Sequence, residues 1–151
     1  MQIKIDDLSG GEVIALLEEH LTDMYKTSPP ESVHALDVAA LKSPDITFFS
    51  AWLDGNLAGC VAIKHLGNRE AELKSMRTAN AYRNQGVGRA LLVHVINFTR
   101  EQHYQAILLE TGTQDFFKPS HRLYKKFGFE ECPPFGNYQL DPNSVFMKLH
   151  V

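Results

Sequence analysis

A chain of 151 residues, 44% hydrophobic and carrying a net charge of −3, is sized for one domain, 1–151, around one core. It has no basic run to neutralise a phosphate backbone, no apolar run that spans a bilayer and no apolar leader. The expectation is a cytoplasmic protein that binds neither nucleic acid nor membrane, with Cys60 and Cys132 as free thiols without metal spacing.

Gln2 to Ile5 alternates like a short strand. Ser9-Gly10-Gly11-Glu12 has the form of a capping box, and the helix it opens carries Val13, Leu17, Leu21 and Met24 on one stripe. Pro29-Pro30 ends that helix, and Ser32 to Leu41 reads as a shorter helical piece stopped by Ser43-Pro44. Ile46 to Leu53 and Leu57 to His65 are strand-like runs around the hairpin signal Asp54-Gly55-Asn56. Gly67-Asn68-Arg69 turns the chain into a third strand, Glu70 to Thr78, which makes an antiparallel meander.

The stretch that follows, Arg83-Asn84-Gln85-Gly86-Val87-Gly88-Arg89, joins this strand to a helix from Val87 to Arg100. A helix N-terminus has unpaired N–H groups and a partial positive charge, and glycines let a phosphate approach the backbone. The spacing is neither G-x-x-x-x-G-K-[ST] nor G-x-G-x-x-G, which excludes a P-loop and a dinucleotide fingerprint. Gln105 to Thr111 is the next strand, parallel to its predecessor across the helix. Pro119 opens a helix that runs to about Phe127 and stops at Gly128. A long connection rich in Pro and Gly leads to a last strand, Ser144 to His150, at or near a sheet edge.

The glycine turn matches [QR]-x-x-G-x-[GA], and Leu123-Tyr124-Lys125-Lys126-Phe127-Gly128-Phe129 matches L-Y-x-x-x-G-F. In this order the two motifs resemble the GNAT superfamily of N-acetyltransferases. The resemblance implies an α/β fold: a central mixed, mostly antiparallel sheet with a splayed parallel strand pair, flanked by helices. It implies acetyl-CoA as cosubstrate, a primary amine of a small molecule as acceptor, and direct attack in a ternary complex. An acyl-CoA-binding sensor without turnover and a peptide or protein amine are the alternatives, and homodimers are frequent in the family.

By the family's register, Met76, Arg77 and Thr78 line the thioester arm. Arg83, Asn84, Gln85, Gly86, Val87, Gly88 and Arg89 hold the pyrophosphate. Glu72 is the candidate base, on the strand four residues before Met76. Strict alternation puts both on one face with Lys74, and Arg77 on the other. Tyr124 is the candidate acid for the departing thiolate. His34 and Tyr138 are the candidate acceptor contacts, with Asn137 and Asp141 as further wall residues. Phe117 stands where the family often has an Asn that contacts CoA, and Asn80 where it often has a Pro. No metal site is expected.

Overall fold

A computed structural model describes all residues, Met1–Val151. Seven strands form one sheet in the order β1-β2-β3-β4-β5-β7-β6. They are β1 (Gln2–Ile5), β2 (Ile46–Leu53), β3 (Asn56–Gly67), β4 (Glu70–Thr78), β5 (Ala106–Gly112), β6 (Glu130–Glu131) and β7 (Ser144–His150). Every neighbouring pair is antiparallel except β4 and β5, which are parallel. This is the mixed sheet expected from the sequence, with β7 one strand in from the edge.

The helices are α1 (Gly11–Thr27), α2 (Val38–Leu41), α3 (Val87–Glu101) and α4 (Lys118–Lys126). Alternation along the strands feeds two cores. On one face Phe49, Val61, Ile63, Ala71 and Leu73 pack with Val87, Leu91, Leu92 and Val95 of α3 and Tyr124 of α4. On the other, Phe48, Cys60 and Ala62 pack with Val13, Leu16 and Leu17 of α1 and Leu41 of α2. Full burial of side chains such as Leu91 and Leu92, both 0% exposed, stabilises the fold by roughly 1.5–3 kcal/mol each.

Three local expectations are corrected. Ser9 does not cap α1: Gly10 is the cap residue, and the Ser9 hydroxyl donates to Asp7 instead. Of the second helical piece, only Val38–Leu41 is α-helical. Asp37 caps it by accepting from Ala40 N–H, while Pro30–Ser32 makes a single 3₁₀ turn. The buried stripe of α1 runs Val13, Leu16, Leu17 and His20, so a histidine takes the place expected of Leu21. Across the interface, Arg77 of β4 pairs with Glu19 and Asp23 in the later turns of α1.

The main departure from regularity is in β4. Cys60 pairs with Arg77 and Ala62 with Lys74, so Ser75 and Met76 together stand opposite Val61 alone. Ser75 adopts φ 53, a left-handed conformation costly for any residue with a Cβ. This bulge changes which side chains share a face.

Candidate active site

Glu72 is the last residue of β4 that pairs with β5, opposite Leu108. Beyond that point the two parallel strands separate. Ala79 N–H donates to Ala58 O on β3, so in the alternating backbone the polar groups of Thr78 and Met76 face the opening. Hydrogen-bonding groups along such a gap have no ladder partner and are free for an extended ligand.

The bulge corrects the facial assignment made from strict alternation. Cross-strand partners share a face, and Glu72, Lys74 and Arg77 are opposite Lys64, Ala62 and Cys60. All three therefore point to the α1 side. Met76 turns to the other side and packs against the α3 core. The Arg77 guanidinium is 5% exposed, and its Nη2 donates to Glu19 Oε1 and Asp23 Oδ2 of α1, each at 2.6 Å. The Arg77 carbonyl faces β3, where a Cβ added to Gly59 would lie 2.7 Å from it. The Arg77 side chain is therefore committed to α1, while the residue still lines the cavity that runs to the glycine turn.

The turn has the geometry of an anion cradle. Gly86 is the N-terminal cap residue of α3 at φ 81, and no side chain caps the helix. The first N–H groups of α3 are therefore unclaimed by a cap. A Cβ built on Gly86 meets nothing within 4 Å, so the space above the turn is open. Arg83, Asn84 and Arg89 are exposed around it, and the Arg89 guanidinium lies 5.7 Å from the Phe127 ring centre. The Gln85 amide is tied back to Ala81 O, and the Val87 side chain is buried in the core. Those two residues offer backbone N–H only.

One cavity of about 640 Å³ follows the opening from Gly86 and Gly88 to His34 and Tyr138. Glu72 and Tyr124 both line it, as do Met76, Thr78, Arg83, Asn84 and Arg89. Tyr124 is buried, and burial holds its phenol well above the ordinary tyrosine range. Raised in this way, the phenol keeps its proton and has one to donate. Glu72 is 4% exposed, and its Oε2 accepts from the Tyr138 hydroxyl at 2.5 Å and from Lys74 Nζ at 3.2 Å. Burial and the neighbouring Glu72 carboxylate push the Tyr138 phenol far upward. His34 meets the Tyr138 ring edge to face, with centres 5.0 Å apart.

The connection bearing Tyr138 is anchored from below. Ser32 Oγ donates to Asp141 Oδ2 at 2.6 Å, and this bond with the Asn143 N–H keeps the Asp141 carboxyl below its ordinary range. Phe117, in place of an amide side chain, is buried against Gly112, where a Cβ would come within 2.3 Å of the ring.

Two charged cavity residues were not among the sequence-based candidates. Glu110 shares the face of Leu108 and Glu72, and it lines the cavity beyond the strand separation. Burial raises its carboxyl above the usual range, opposed by the nearby His34 and Lys74. A charged residue ending the apolar run Ala106-Ile107-Leu108-Leu109 was the available signal. The other is Lys74, which spacing along β4 marks only as an ion-pair partner for Glu72. No group of three or more His, Cys, Asp or Glu side chains is placed to hold a metal ion.

Comparison with known proteins agrees with this geometry. Residues 13–129 match the Acetyltransferase (GNAT) family. An uncharacterised N-acetyltransferase of Bacillus subtilis, YsnE, is 49% identical over 97% of this chain and 97% of its own. A second from Escherichia coli, YedL, is 46% identical over 97% of this chain and 92% of its own. Among solved structures, an acyl-CoA N-acyltransferase of Klebsiella pneumoniae superposes with a TM-score of 0.79 at 24% identity, covering 99% of this chain and 96% of that one. That likeness is one of fold.

Proposed function

The chain belongs to the GNAT acetyltransferase family and is an acetyl-CoA-dependent acyltransferase, and we propose that its acceptor is the primary amine of a small molecule, attacked directly in a ternary complex in the cytoplasm. One observation carries the reading. Beside the α3 N-terminus β4 and β5 part, and a single cavity at that gap holds a buried carboxylate, a protonated phenol and an aromatic wall.

In this reading the N–H groups from Asn84 to Arg89 bind the pyrophosphate of acetyl-CoA, with Arg83 and Arg89 pairing with its phosphates. The backbone groups of Met76 and Thr78 align the thioester arm, and the Met76 N–H stabilises charge on the acyl oxygen. Glu72 accepts the amine proton, and Tyr124 donates one to the departing sulfur. His34 and Tyr138 wall the acceptor. Cys60 supports direct attack over a covalent acyl-enzyme, because burial pushes its thiol up to about 12 and withholds the thiolate.

Thiol release from acetyl-CoA against a panel of primary amines tests the activity. Glu72→Gln is expected to lower turnover by roughly 10²–10⁴ while leaving acetyl-CoA affinity little changed. The deficit shrinks at high pH, where the amine loses its proton unaided. A pH–rate profile identical to that of the parent sinks the base assignment. Tyr124→Phe is expected to slow turnover less when the leaving thiol is more acidic, and equal deficits with both donors count against the acid.

A further inference from the structure

Lys74 is the only lysine that lines the cavity. Its side chain is 9% exposed, and its Nζ donates to Glu72 Oε2 at 3.2 Å and to the Tyr138 hydroxyl at 3.0 Å. A buried ion pair is weak grounds for stability, because desolvation offsets the attraction. Chemistry is the better account of this lysine. Lys74 is the first β4 residue on the α1 face beyond the last pairing with β5, so it stands where the gap opens. Any amine that gives its proton to Glu72 must come within hydrogen-bond reach of that carboxylate, about 2.6–3.2 Å. Lys74 Nζ already meets that condition. Its tether to the protein that binds the thioester makes the encounter intramolecular.

We propose that Lys74 is a self-acetylation site: with acetyl-CoA bound and no acceptor present, the protein transfers the acetyl group to its own Lys74 Nζ. The proposal rests on the reading of Glu72 as the proton acceptor. Glu72 takes one proton from the Nζ ammonium, and the freed lone pair attacks the thioester carbonyl carbon. The C–N bond forms and the C–S bond breaks. The sulfur leaves with a proton from Tyr124, the proton taken by Glu72 replaces it on Tyr124 by way of solvent, and the second Nζ proton passes to solvent as the amide forms. The products are acetyl-Lys74, CoA and one released proton. Acetylation removes the Lys74 charge, ends its ion pair with Glu72 and fills the acceptor side of the cavity. Acceptor turnover then falls, and a bound acceptor protects Lys74. The modification therefore ties activity to the ratio of acetyl-CoA to acceptor.

The test incubates the full chain with acetyl-CoA alone at several protein concentrations and follows each lysine by peptide mass spectrometry. Lys74 is expected to acquire one acetyl group about tenfold or more faster than the exposed Lys125 and Lys126, at a rate independent of protein concentration. Glu72→Gln is expected to slow the modification of Lys74 by roughly 10²-fold and to leave Lys125 and Lys126 unaffected. A CoA-induced rise in melting temperature confirms that this variant is folded. Labelling of Lys74 no faster than of Lys125 and Lys126, or equal labelling of Lys74 in Glu72→Gln, overturns the proposal. Thiol release with the amine panel, run on the same preparation, separates the two readings. Turnover of an amine with Lys74 unlabelled removes self-acetylation alone. No turnover and no label removes the amine-acetylation reading with it.

Discussion

His20 shows how one side chain records the surroundings of a helix. It occupies a core position on α1 yet lies beside Arg77, and burial together with that guanidinium lowers its pKa from 6.5 to about 4. The folded protein keeps the ring neutral where the unfolded chain would protonate it. Between those two pH values the unfolded state binds more protons, so stability falls as pH falls. The loss approaches about 3 kcal/mol by pH 4, because each pH step between the two values is worth about 1.4 kcal/mol. Urea unfolding from pH 7 to pH 4.5 should therefore show a shallower acid decline in His20→Gln than in the parent. Parallel declines would mean that the ring is already protonated in the fold. The sequence stripe of α1 ran through Leu21 and not His20, and the Arg77 guanidinium that helps keep the ring neutral comes from another element.

At the scale of elements, the bulge in β4 decides the site. One extra residue moves Met76 to the α3 side and brings Arg77 round to join Glu72 and Lys74 on the α1 side. The cost is held at Ser75, with φ 53 and a buried hydroxyl that has no hydrogen-bond partner. Ser75→Gly relieves both and is expected to stabilise the protein by roughly 0.5–1 kcal/mol. Ser75→Ala removes only the orphaned hydroxyl and should gain less. Chemical denaturation of both variants checks the order, and Ala equal to or better than Gly would show that the backbone there is unstrained. Deleting Ser75 would remove the bulge while leaving Met76 opposite Val61 and Arg77 opposite Cys60, so each would keep its present face. That variant is expected to keep a cooperative unfolding transition, and its loss would show that the bulge itself is needed to fold.

Across the whole molecule, the proposed function makes the glycine turn, the parted strands and the cavity one binding surface for a ligand that carries a pyrophosphate. Acetyl-CoA and CoA at about 100-fold over Kd should each add roughly 2.7 kcal/mol to stability. That is a rise of about 5–11 °C in melting temperature for a chain of this size, at about 2–4 °C per kcal/mol. Pantetheine, with the thiol arm and no pyrophosphate, should do far less. Gly86→Val puts a branched side chain at φ 81 and into the open space above the turn. It should abolish most of the ligand-induced rise while the unliganded protein still melts in one transition. A full rise in the variant, or an equal one with pantetheine, would show that the turn holds no phosphate.

Much of this was legible in local sequence because the causes are local. Apolar alternation set the strands, Gly86 and Gly88 marked the start of α3, and Pro119 with Gly128 bounded α4. Two motifs in fixed order were enough to name the family, since each encodes a turn or helix end whose geometry depends on its own residues. Alternation placed Glu72 and Lys74 on one face as observed, but the facing of Met76 and Arg77 was not legible. A β-bulge depends on the partner strand and on what each face must pack against, so it leaves no spacing signal in β4 itself. Glu110 was hidden because burial and charge along β5 make sense only where β4 departs from it. Tyr138 came from a connection with no periodicity, and only the folded chain sets its hydroxyl against Glu72 across 66 residues of sequence. Local stereochemistry wrote the elements into the sequence. The pairing of distant segments decided which side chains meet in the cavity, because burial and charge compensation are properties of the assembled faces.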